Sequence, residues 1–181
     1  MSYQVTSPAT ASLVSVADLK THLLLFGDTS YDTELQDILL TAEGFVSDFL
    51  GDYLSPTGVR KNIVAFGDIK LPHKNPTAII VHYWDANDTA QVWSDTNYVL
   101  DTSDVYPVII FDTNPSGYST KFTNKGYVTY NTSLSPVPSK IKHTVLLIAA
   151  ELFENRNNST DKKMEKVQLT AMRLMQSLRG W

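Results

Sequence analysis

The hydrophobic period of this chain changes twice, and that pattern constrains its fold more than any single motif. Between residues 15 and 54, apolar side chains recur every three or four positions, the spacing of a helix face. From Ser55-Pro56-Thr57-Gly58 to Ser135 the period is two, turns are dense, and β-branched and aromatic residues dominate. Eleven of the 19 aromatic residues fall within residues 59–136. Helical texture returns after Pro136 and Pro138. The middle segment is too long for a loop, so it reads as a β subdomain inserted into a helical domain.

Ser15 is placed as an N-cap, with Asp18 in the first turn, where an acid favours the helix dipole. Val16, Leu19, Leu23 and Phe26 share one helix face, and Gly27 is the expected stop. A second helix is traced by Leu35, Ile38, Leu39, Ala42, Phe45, Val46, Phe49 and Leu50. Gln36, Asp37, Glu43, Ser47 and Asp48 lie between them, and Gly51 follows as a C-terminal cap. Gly44 inside this helix costs about 1 kcal/mol against Ala, which suggests close packing there. Ile141, Val145, Ile148, Ala149, Leu152 and Phe153 mark a third helix opening near Pro138, and Met164, Val167, Ala171, Leu174 and Leu178 a fourth. Strands are expected near 60–66, 78–84, 89–93, 97–101, 107–111 and 125–131, with Asp85-Ala86-Asn87-Asp88 as a hairpin turn. The predicted fold class is α+β. Residues 15–54 and 137–181 form a four-helix bundle core of two helical hairpins, residues 55–136 an inserted antiparallel β-rich subdomain, and residues 1–14 a flexible arm.

Composition narrows the function. The 43% hydrophobic content excludes wholesale disorder, and the absence of cysteine excludes a disulfide scaffold, thiol catalysis and Cys-ligated metal sites. The N-terminus has no basic, apolar leader pattern, and the longest strongly apolar run, residues 145–150, is far short of a bilayer span, so no membrane role is expected. A net charge of −4 argues against a basic groove for nucleic acid. That charge is unevenly spread: residues 1–58 hold one Lys against eight acids, residues 59–136 six basic against seven acidic, and residues 137–181 eight basic against four acidic.

No catalytic constellation stands out, and no cofactor or metal is expected. His22, His73, His82 and His143 lack a second ligand at metal spacing, and no nucleophile elbow, Walker loop or dinucleotide fingerprint is present. Asp85 with Asp88, and Asp101 with Asp104, read as turn aspartates. Tyr83, Trp84, Trp93, Tyr98, Tyr106, Tyr118, Tyr127 and Tyr130 read first as sheet packing, then as a protein interface or small-ligand platform. The last helix either closes the bundle or docks a partner through Lys162, Lys163, Lys166, Arg173, Arg179 and the terminal Trp181.

Three groups of residues, in order along nearly the whole chain, carry a family likeness. The first is Val16-Ala17-Asp18-Leu19-Lys20-Thr21-His22-Leu23 followed by Glu34-Leu35, Ala42-Glu43, Val46 and Phe49-Leu50-Gly51. The second is Leu71-Pro72, Asn75-Pro76, Ile80-Val81-His82-Tyr83-Trp84-Asp85, Tyr98-Val99-Leu100-Asp101, Pro107 and Val128-Thr129-Tyr130. The third is Val137-Pro138-Ser139-Lys140-Ile141-Lys142 leading to Leu147, Ala150 and Phe153-Glu154-Asn155-Arg156. With these the sequence resembles the head–tail connector (head-completion adaptor) proteins of tailed bacteriophages. It departs from them at Asn131-Thr132, where a Gly is usual, and at Phe153, where Tyr is commoner.

The resemblance implies a structural virion protein rather than an enzyme. Such proteins form a homo-oligomeric, commonly dodecameric, ring beneath the portal, extend the DNA channel, and offer a platform to the next neck or tail protein. The implied partners are the portal protein, a neck, stopper or tail protein, and DNA that passes without specific binding. The implied location is the head–tail interface of a virion assembled in the host bacterial cytoplasm. The family's C-terminal region commonly reaches toward the portal, so Arg173, Arg179 and Trp181 are candidate portal contacts. Glu154, Asn155 and Arg156 match the family motif and are candidate interface residues or a local helix cap. A ring needs a heterologous contact, for which an acidic first hairpin and a basic last helix pair are suited. The alternatives are another neck or tail component, such as a stopper or tail terminator, and a carbohydrate- or ligand-binding β module.

Overall fold

The structure, a computed structural model, describes residues 3–155 and Gln176. The chain divides into two compact units, Met1–Ala9 with Pro56–Leu134, and Thr10–Ser55 with Ser135–Trp181. The first unit holds eight strands: β1 (Tyr3–Ser7), β2 (Thr57–Ile63), β3 (Ile69–Lys70), β4 (Pro76–Trp84), β5 (Ala90–Trp93), β6 (Tyr98–Asp101), β7 (Val108–Phe111) and β8 (Gly126–Thr132). They make two antiparallel sheets, a five-stranded one in the order β1-β2-β8-β4-β5 and a three-stranded one in the order β3-β7-β6. The second unit holds α1 (Val16–Leu23), α2 (Asp32–Leu50) and α3 (Ser139–Asn155).

The expected four-helix bundle core is thereby corrected. Among the described residues there are three helices, and strands are the more numerous element. The physical reason lies in the alternation along the strands, which gives the β segment a core of its own. Val59, Ile63, Ile69, Leu71, Val81, Ile109, Val128 and Tyr130 are all buried. The helix expected from Met164 to Leu178 lies outside the described residues apart from Gln176. The arm expected over residues 1–14 carries β1, paired along β2 from Tyr3↔Lys61 to Ser7↔Gly58.

In the helical unit, Ser15 caps α1 as its spacing suggests. Its hydroxyl accepts from the Asp18 amide at 3.1 Å while the Asp18 carboxylate accepts from the Ser15 amide at 3.4 Å. The helix ends earlier than expected, at Leu24 in the left-handed region, and Phe26 is left exposed. Leu19, Leu35, Leu39, Ala42, Val46, Ile141, Val145 and Ala149 are fully buried. Glu43 and Ser47, polar positions of α2, are buried as well. The Glu43 carboxylate accepts from the Ser12 hydroxyl at 2.7 Å and the Leu13 amide at 2.8 Å, which satisfies an otherwise costly buried group. Phe45, counted on the apolar stripe, is 55% exposed. Among the described residues Gly44 is not closely packed, since a Cβ there would meet nothing within 4 Å.

Candidate interaction surface

The five-stranded sheet has two unlike faces. On β8, Val128 and Tyr130 are buried, while Tyr127 and Thr129 stand on the opposite, half-open face. Residues paired across an antiparallel ladder share a face. Arg60 of β2 and Ile80 of β4 both pair with Thr129, and Asn62 and His82 both pair with Tyr127. Val92 of β5 pairs with His82, and Ala90 with Trp84. The half-open face therefore carries Arg60, Asn62, Tyr127, Thr129, Ile80, His82, Trp84 and Val92.

A planar stack organises it. The Arg60 guanidinium lies 3.8 Å from the Tyr127 ring centroid, and the His82 ring stacks on Tyr127 at 4.4 Å with an interplanar angle of 16°. Strand β8 sits between β2 and β4, so Arg60 and His82 flank Tyr127 from opposite sides. Both faces of that ring are thus taken by the protein itself, which leaves none for a sugar or base. Trp84 extends the cluster, 5.9 Å from Tyr127 and 5.2 Å from Phe122. Burial, and then the Arg60 charge, hold the His82 imidazole below its ordinary pKa, so it is neutral near pH 7 and Arg60 supplies the face's charge. At the edge of the stack Ile80 is 42% and Val92 62% exposed. Gly126, whose Cβ direction alternates away from the stack, lets β8 and β4 approach closely: a Cβ there would collide with the His82 carbonyl.

The paired aspartates do turn chemistry. The Asp85 carboxylate accepts from the Asn87 and Thr89 amides at 2.9 and 3.0 Å and from the Gln91 side chain at 3.0 Å. Asp88 accepts from the Ser119 hydroxyl at 2.6 Å and from Lys121 at 2.9 Å. These donors hold both carboxyls below the ordinary carboxylate range, which suits neither a general acid nor a proton shuttle at neutral pH. Asp101 and Asp104 are lowered in the same way, by Ser103 and by Lys70 with the Val105 amide. Among the described residues no group of three or more His, Asp or Glu is placed to hold a metal, and no helix is long and apolar enough to cross a membrane.

Of the residues singled out from the sequence, Glu154 is exposed at the end of α3 and Asn155 is half-buried. The Asn155 side-chain amide donates to the Glu151 carbonyl at 3.1 Å, a local helix-end bond. Burial, and then the Glu154 charge, push the Glu151 carboxyl up. Arg156, Arg173, Arg179 and Trp181 lie outside the described residues. Of the eight strand aromatics, Tyr130 is a core residue: its hydroxyl lies 2.7 Å from His73 Nδ1, and Tyr3 meets His73 edge-on at 4.9 Å. Arg60 and His82 carry no sequence signal for the stack. Only the strand register brings them to Tyr127.

No known family model matches the sequence, and no curated protein matches it. Solved structures share the fold. A chain in the virion of a native gene transfer agent (GTA) particle matches with a TM-score of 0.69 and 18% identity, over 88% of each chain. A chain in the neck of an empty GTA particle computed with C6 symmetry matches at 0.67 and 20%, over 96% of this chain and 95% of that one. A chain in the neck of a native GTA particle computed with C12 symmetry matches at 0.65 and 17%, over 96% and 94%. The fold is that of chains found in the virion and neck of GTA particles.

Proposed function

We propose that this chain is a structural component of the neck of a tailed-phage-like particle. In the finer reading it is a head–tail connector: a ring beneath the portal that continues the DNA channel and seats the next neck or tail protein. The observation that carries this is the likeness of fold over 96% of the chain to chains in necks computed with C6 and C12 symmetry. Such a role asks for interaction surfaces rather than reacting groups, and the half-open sheet face with its exposed Ile80 and Val92 is a surface of that kind. A net negative charge suits a channel wall past which DNA slides without being held, because phosphate binding rests on Lys and Arg. The C-terminal candidates Arg173, Arg179 and Trp181 are assigned to the portal contact in this reading. The test is electron microscopy of the chain mixed with the portal protein of the same particle. A ring stacked on the portal is the expected result; portal rings without added density would overturn the connector role.

A further inference from the structure

We propose that in the assembled ring α2 of one subunit lies across the half-open face of the five-stranded sheet of the next. This rests on the ring reading above and names its seam. Among the described residues, two surfaces lack a cover and complement each other. The first is the sheet face, which presents exposed Ile80 and Val92 on one side of the stack and Arg60 on the other. Among the described residues no carboxylate lies within ion-pair distance of Arg60. The second is the outer stripe of α2, where Glu34, Asp37, Thr41, Phe45 and Asp48 are all exposed. Helix α2 contains no Lys or Arg, so the charged members of its stripe are all acidic, set around a projecting phenyl ring.

The spacings agree. The Arg60 guanidinium sits against Tyr127 of β8, and from β8 to β5 there are two strand steps, about 10 Å at the usual strand separation. From Phe45 to Asp37 there are eight residues of helix, about 12 Å. Phe45 set against Ile80 and Val92 therefore brings Asp37 to the guanidinium of Arg60. Gly44 adds an independent indication. It weakens α2 by about 1 kcal/mol against Ala, and no described residue comes within 4 Å of where a Cβ would stand, whereas a sheet laid on the stripe would use the missing Cβ for close contact. The two surfaces differ, so the contact is heterologous and propagates around a ring instead of closing a dimer.

The test uses the full chain in light scattering coupled to size exclusion, over a range of concentrations, with far-UV circular dichroism to confirm folding. Wild type is expected to assemble, and Arg60→Glu or Asp37→Arg alone to weaken assembly by about tenfold or more. The double variant is expected to recover assembly, because the charges are exchanged. Phe45→Ser gives an independent loss if either charge variant fails to fold. Wild-type assembly unchanged by Arg60→Glu and Phe45→Ser would overturn the seam and leave the ring reading standing. A wild-type chain monomeric at every concentration and also in the presence of portal would overturn both.

Discussion

Strand β8 presents a Tyr–His pair on each of its two faces, and the two pairs are held by different physics. On the closed face Tyr130 and His73 are buried and joined by a hydrogen bond of 2.7 Å. On the half-open face Tyr127 and His82 are stacked, with Arg60 completing the sandwich. In the core a polar group must be matched atom to atom, since an unpaired one costs about 1–3 kcal/mol. On the open face water can serve the polar atoms, so ring overlap and charge decide the arrangement. The closed face fixes the fold, and the open face is left uncovered among the described residues.

Truncation is expected to separate the two faces most widely. Tyr130→Ala is expected to lower stability by about 3–5 kcal/mol, whereas Tyr127→Ala should lose only about 1 kcal/mol of stacking and cation–π attraction. Urea unfolding of the two variants measures the difference. Removing only the hydroxyls sharpens it. Tyr130→Phe removes the buried hydrogen bond to His73 and should cost about 1 kcal/mol, while Tyr127→Phe should stay within about 0.5 kcal/mol of wild type.

The second open surface gives an effect of opposite sign. Gly44→Ala should stabilise the isolated chain by about 1 kcal/mol in thermal unfolding, and at the same time weaken its assembly. The smallest effect is pH dependence. The fold prefers neutral His82, so its contribution is complete above an unfolded pKa of about 6.5 and falls as pH drops through the lower folded value. Asp85, Asp88, Asp101 and Asp104 act in the same direction further down. Their contributions hold above the ordinary carboxylate pKa and are lost as pH falls through their lowered values. Wild type should therefore weaken between pH 7 and 5 more than His82→Gln, as read from urea midpoints at the two pH values.

Much of this was legible from periodicity. The change from helical to strand spacing at residues 55–58 and back near 136–138 marks the same segments that carry β2 to β8 and α3. Local rules also reached the Ser15 cap and the Asp85–Asp88 turn. Pairing over long sequence distance did not show. Strand β1 is short, and its pairing partner β2 lies more than fifty residues on. Nor did the stripe of α2 reveal which of its edges turns inward. At 100° per residue Glu43 falls about 60° from Val46 and Phe45 about 100° from it, so the acid enters the buried arc and the phenyl leaves it. The deciding fact is a partner: Ser12 and Leu13 supply Glu43 with donors, which no pattern of apolar residues encodes. The two-helix hairpin expected after Pro138 led to a four-helix bundle core because stripes alone do not tell whether a β segment hangs on a bundle or builds its own core.

The absence of cysteine permits a direct test of the proposal that the open sheet face and the α2 stripe are two halves of one contact between subunits. A chain carrying Asp48→Cys and a second carrying Val92→Cys would be mixed, assembled and treated with a short bifunctional maleimide. A cross-linked dimer containing one chain of each kind is expected, formed in the mixture and absent from either variant alone. Assemblies that form and yield no mixed dimer would contradict it.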